Sequence, residues 1–519
     1  MECVERDTLD PNDLLALWTA LTELVARHRR FSTAEWALSD EPLKRIEAIV
    51  TYIEPVKSTE RHAYLFDWHP NLPAVSDSNQ ESYDKALDDL RRACVLDTLE
   101  QYGIDGIIRM AEKSKLPRLV GMTVANVGGQ DLTTQVLPGL AAKGSYKEIA
   151  VGWVSQMREI NGCDWAEHTM EFLTELSDEA RITFYLSLPI EPHTWTLVAS
   201  DSETIQNAYY QSVPTWGVDP IHATTLAKCL LERGRPWSAI DLLAFCCHGN
   251  NDAAKPPADI IEQALRAALD PGVLETPQPG SLTYDLSVLL DNLESMGVAA
   301  DVSFELEWQY FPLLQHTRAP RAVYARIASN PQLFVEAVLI ASGKETAMNE
   351  ADSTAKVQRR SCYLLLHSWR GVPGVADNNI MDGAVLRTWV NEVRRLFAEH
   401  DCIVIGDEYL GRLLSGSPPG IDGIWPAEPI RDLLEDLAVN KDIENGLLTG
   451  KFYSRGVTWR GVYDGGKQEA VLANQFNLWA EQVEDRWPRT GEVLRILGDG
   501  YARDARQADV SAERRADTD

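Results

Sequence analysis

The chain has 519 residues, 45% of them apolar, with 78 acidic against 49 basic side chains and a formal net charge of −29. That length suits roughly two to four domains or one continuous repeat array, with enough apolar surface for a substantial core. A surface this negative repels phosphate backbones and argues against general nucleic-acid binding; the same field favours solubility and could steer the protein toward a basic partner.

The first residues, Met1 to Asp7, lack the basic and apolar regions of a signal peptide, and no uninterrupted apolar run reaches membrane-spanning length. The eight cysteines (Cys3, Cys94, Cys163, Cys229, Cys246, Cys247, Cys362 and Cys402) contain no Cys-x-x-Cys pair and sit in apolar helical patterns. They are expected to be reduced, buried thiols in a cytoplasmic protein.

Helical periodicity dominates from the start. Asp10-Pro11 supplies a capping oxygen and a first-turn proline, and Leu14, Leu17, Trp18, Leu21, Leu24 and Val25 then form one stripe. Further X-Pro starts follow at Glu191-Pro192, Asp219-Pro220, Ala319-Pro320 and Asn330-Pro331, and glycine stops at Gly103, Gly234, Gly297 and Gly371. Ile182 to Leu188 alternates like a strand, but Ser177-Asp178-Glu179 just before it is a helix start. Ile403-Val404-Ile405 is too isolated to pair. Both are expected to be helical or irregular.

The clearest hairpin runs from Leu230 to Ala244, with Gly234 ending one helix, Pro236 starting the next and Ala239 small enough for close approach. Three more stripes follow: Leu386, Trp389, Val390, Val393, Leu396 and Phe397; Ile430, Leu433, Leu434 and Leu437; and Leu472, Phe476, Trp479, Val483 and Trp487. Short connections between such helices force antiparallel neighbours. The predicted fold is all-α, an irregular solenoid of antiparallel helical hairpins of the tetratricopeptide or HEAT kind, without a constant 34-residue period and with a more bundle-like C-terminal end.

Polar and glycine-rich stretches at 75–80, 249–257, 276–281, 344–353 and 415–425 read as linkers. They divide the chain into an N-terminal helical segment (1–75), hairpin arrays (76–250 and 251–415), a C-terminal bundle with a Gly-rich basic loop (416–502) and a charged tail (503–519) expected to be disordered.

No catalytic constellation is evident. Gly461-Val462-Tyr463-Asp464-Gly465-Gly466-Lys467-Gln468 has the phosphate-loop spacing, but Gln468 replaces the magnesium-binding hydroxyl and no buried strand precedes it. A glycine-rich turn before the last hairpin explains it. Cys246-Cys247-His248, His62 and His69 lack metal-ligand spacing, so no metal or cofactor is expected. Glu305 and Glu307 read as surface or ion-pair residues, and the basic clusters at 27–30 and 356–360 as solvated helix faces.

The segment 450–467 stands out because Lys451, Arg455, Arg460 and Lys467 are interleaved with Phe452, Tyr453, Trp459 and Tyr463. Cations among aromatics can grip a carboxylate, a phosphate or an acidic patch on a partner. Lys451, Tyr453, Arg455, Trp459, Arg460 and Lys467 are therefore the candidate ligand- or partner-binding residues. The competing reading is an ordered loop that packs on acidic helices.

The hairpin 230–244, the stretch His367-Ser368-Trp369-Arg370-Gly371-Val372-Pro373-Gly374 and Phe452-Tyr453-Ser454-Arg455-Gly456-Val457-Thr458 together resemble the helical C-terminal portions of large bacterial proteins, some associated with anti-phage defence. The resemblance spans about residues 170 to 505 and brings no catalytic residue. It implies sensing or scaffolding, with enzymatic and ATPase parts elsewhere. The expected function is a protein-binding scaffold or recognition subunit, with an enzyme assembled from distant helices near 450–467, or a nucleic-acid binder using local basic clusters, as alternatives.

Overall fold

The computed structural model describes residues 10–55, 61–68, 70, 80–248, 255–344, 353–369, 371–376, 380–436, 441–456, 459, 461 and 464–516. Among them the fold is all-α. No strand is present, and an isolated antiparallel bridge joins Val375 to Met381. No described helix is long and apolar enough to cross a membrane. His69, Arg370, Leu437, Val457, Thr458, Arg460 and Tyr463 lie outside the described residues, as does most of the linkers at 75–80, 249–257 and 344–353. Two compact units are present, residues 1–242 with 251–255, and residues 243–250 with 256–519.

Two of the X-Pro starts cap their helices as their chemistry requires, while Glu191 makes no capping bond to Pro192–Ala199. Asp219 and Asn330 accept hydrogen bonds from the Ile221 and Gln332 amides, capping Pro220–Glu232 and Pro331–Ser342. Ser177 caps Asp178–Ser187 through the Ala180 amide, so the alternating segment 182–188 is helical for most of its length. Ile403 likewise opens a helix, Ile403–Leu414. The 386–397 stripe is buried: Val390, Val393 and Phe397 have no exposed surface, and Leu386 and Trp389 have 1% and 5%, whereas Leu14, Leu17, Leu21 and Leu24 of the first stripe are half-buried.

Two of the longest helices are broken by glycines at positive φ. Gly103, expected to be a stop, breaks Gln80–Lys113 at φ 59° and ψ −157°, but a second helix follows at once. Gly162 kinks Ser145–Leu173 in the same way (φ 75°, ψ −166°). Only a residue without a Cβ adopts these angles readily. Tight backbone approach is found at two pairs of glycines. In the first unit a Cβ on Gly121 of Pro117–Gly128 would lie 2.0 Å from the Ile149 carbonyl oxygen, and one on Gly152 of Ser145–Leu173 2.0 Å from that of Arg118. In the second unit Gly411 of Ile403–Leu414 meets the Ile443 carbonyl, and Gly446 of Lys441–Ser454 meets that of Glu408, at 2.0 and 2.1 Å.

The C-terminal end of the second unit holds a long antiparallel hairpin, Lys467–Val483 against Pro488–Ala516, in which Gly466 faces Ala505 and Gly491 faces Glu484. The segment expected to be a disordered tail is therefore helical as far as Ala516. Ala505 is buried, and the Asp509 carboxylate accepts the Gly466 amide at 2.8 Å, so the tail is tied to the start of the preceding helix.

Candidate functional site

Lys451, Tyr453 and Arg455 lie at the end of Lys441–Ser454, where Gly456 (φ 65°) stops the helix. The Lys451 amine sits 4.2 Å from the ring centroid of Trp425, which the packed connection 415–427 holds at 2% exposure. Lys451 makes no ion pair among the described residues. Desolvation lowers its pKa to about 8, while the negative face of the indole offsets part of that cost.

The sign of its pH effect follows from linkage. Between about pH 8 and the 10.5 of an ordinary lysine, the unfolded chain binds the proton that the folded chain has released. Folding therefore gains stability as pH rises through that window. Lys451→Met is expected to be more stable than wild type at pH 7, by about 2 kcal/mol, with the advantage vanishing near pH 10.5. Denaturant midpoints at the two pH values test this; a variant less stable at pH 7 would show that the charge is well solvated.

Arg455 is committed to the fold. Its guanidinium reaches the buried Glu469 carboxylate at 2.7 Å and lies 5.7 Å over Tyr501, which stacks on Phe476. Phe452 packs on Tyr501 too, against Gly500, where any Cβ would strike its ring. These two side chains are packed against the fold, Phe452 from within the helix itself.

Tyr453 and Trp459 differ. They stand 78% and 92% exposed, and of Trp459 only the carbonyl is engaged, by the Gln468 amide nitrogen at 3.1 Å. Lys467, the exposed first residue of its helix, makes no ion pair among the described residues. The structure thus brings Lys451 and Arg455 onto one helix end beside Trp425, Glu469 and Tyr501, none of which local sequence singled out. Their separation from 451 and 455 hides them from any motif.

The phosphate-loop resemblance fails on geometry. Gly461 donates its amide to Asp464 at 2.6 Å and Gly466 donates to Asp509, so both amides already serve carboxylates. A phosphate cradle needs such amides aimed at the ligand.

No family model, curated protein or solved structure matches the chain. The functional reading therefore rests on the residues alone.

Other sequence features resolve into packing. Cys246 is buried, and His248 stacks on Tyr284 with centroids 4.7 Å apart. In the basic cluster 27–30, Arg29 pairs with Asp40 at 2.5 Å and Glu47 at 2.9 Å, and Arg27 lies over Trp36.

Proposed function

We propose that this chain is a protein-recognition or scaffolding subunit built on an irregular helical-repeat array, and that the segment 451–467 is its contact edge. The observation that carries the reading is the exposure of Tyr453 and Trp459, two large aromatics left uncovered in a short segment beside the cations Lys451 and Lys467. Aromatic anchors flanked by charge are the groups that dominate binding energy at protein interfaces. The fitting partner is a protein segment that offers carboxylates next to an apolar pocket. Successive helices from Ala258–Ala267 to Pro331–Ser342 packing each on the next support the array. The resemblance to defence proteins would place such a subunit in an anti-phage operon.

The test is co-purification from native cells. Wild type should bring down one protein in stoichiometric amount, and the Tyr453→Ala/Trp459→Ala double variant should lose it. Its melting temperature should hold, because exposed substitutions usually change stability by less than about 0.5 kcal/mol. Lys451→Met should weaken the same complex while stabilising the chain. A free wild-type monomer with measurable turnover, or a double variant that keeps its partner, refutes the proposal.

A further inference from the structure

The first unit gathers a thiol, an imidazole and a carboxylate that sequence spacing keeps apart. The Gly162 kink places Cys163 at the start of the second half of Ser145–Leu173, and Pro192 opens the next-but-one helix with Glu191 and His193 on either side of it. One ligand atom from each of Cys163, Glu191 and His193 lies within 4.8 Å of the other two. All three side chains are half-buried.

The His193 ring is held as a metal-binding histidine usually is. Its Nε2 lies 3.0 Å from Glu167 Oε1, and since a carboxylate only accepts, Nε2 carries the proton. Nδ1 then presents a lone pair. It is buried and finds no hydrogen-bond donor. A carboxylate that fixes one ring nitrogen so that the other can ligate is the usual outer support of a metal site.

Arg158 is the competitor. Its guanidinium donates to Cys163 Sγ at 2.9 Å and to Glu191 Oε1 at 2.5 Å, marking a place where positive charge is stabilised. It serves two of the three donors and not the imidazole. A divalent ion would serve all three.

We propose that Cys163, Glu191 and His193 form a binding site for a zinc-class divalent cation, with Arg158 holding the place of the cation in the metal-free protein and swinging out when the ion enters. Sulfur, nitrogen and oxygen donors in one set suit zinc rather than calcium or magnesium, which take oxygen. A tetrahedral zinc needs its donors about 3.5 Å apart, so the donors close by roughly 1 Å, within the range of side-chain rotation. On binding, the thiol of Cys163 gives its proton to solvent and the sulfur–metal bond forms; no redox change occurs. The fourth position takes water. This inference is independent of the recognition edge, which lies in the other unit.

Cobalt(II) added to the purified full chain is the probe. One equivalent should give a thiolate-to-cobalt charge-transfer band and the visible bands of a four-coordinate ion, and excess zinc should bleach them. Cys163→Ser and His193→Ala should each remove the charge-transfer band while the far-ultraviolet helical spectrum stays, and Glu167→Gln should weaken binding about 10- to 100-fold. Arg158→Gln should tighten it. Zinc should raise the melting temperature of wild type but not of His193→Ala. Absence of the band in wild type, its survival in Cys163→Ser, or its loss in Arg158→Gln would overturn the site.

Discussion

Glu307→Ala is expected to destabilise the second unit by about 3 kcal/mol, the low end for breaking a buried ion pair. The carboxylate lies in Ala300–Leu314 at 3% exposure and does two jobs. One oxygen accepts from the Arg318 guanidinium at 2.5 Å; the other accepts the Ala322 and Val323 amides at 2.7 and 3.1 Å, capping Arg321–Ser329. Removing it orphans those amides and strips a 5%-exposed guanidinium of its buried partner. Two features soften the loss. Arg318 keeps the half-exposed Asp291 and Glu294 at 2.8 and 3.1 Å, and a cavity of about 300 Å³ beside Glu307 gives water room to enter. Glu307→Gln should fall between, since its amide oxygen can accept from one side only. Urea denaturation measures both, and a loss below 1 kcal/mol for the alanine variant would mean that the pair and the cap contribute little.

Gly411→Ala should cost about 1–3 kcal/mol, in the opposite direction to the usual effect of this exchange. In an open helix, alanine in place of glycine stabilises by about 1 kcal/mol. Here the new methyl would meet the Ile443 carbonyl oxygen at 2.0 Å, the Leu447 amide nitrogen at 2.7 Å and the Gly446 Cα at 2.9 Å. All three are backbone atoms, so no side-chain rotation relieves the clash and the helices must separate. Separation would loosen Leu410, Leu414 and Leu447, each fully buried. The denaturation midpoint should drop; an unchanged or raised midpoint would show that the crossing opens without strain.

Much of the helical framework was legible because its signals are local. Asp219-Pro220 and Asn330-Pro331 state their caps within four residues, and the 386–397 stripe repeats often enough to fix its buried face. The strand-like alternation at 182–188 was overruled by the Ser177 cap, and the structure agrees. What escaped depends on pairs far apart in the chain. Nothing near Lys451 announces Trp425, and nothing near Gly466 announces Asp509. The charged stretch after Arg503 reads as a tail by composition, yet its alanines favour helix, and Ala505 and Asp509 pack on Gly466 and Gly465. Gly103 reads as a stop because a positive φ ends a helix; sequence does not tell that the next residue starts another. At 451–467 the residue types were legible but their division into packed (Arg455, Phe452) and uncovered (Tyr453, Trp459) was not, because burial is set by partners such as Glu469 and Tyr501.

The two glycine crossings also set where the molecule breathes least. With carbonyls of one helix resting on the Cα atoms of another, neither helix can unwind through residues 118–121, 149–152, 408–411 or 443–446 without its neighbour yielding as well. Amide protons there should be the last to trade with deuterated solvent in each unit, exchanging only when the whole unit opens, so these four short stretches act as rivets between otherwise separate rods.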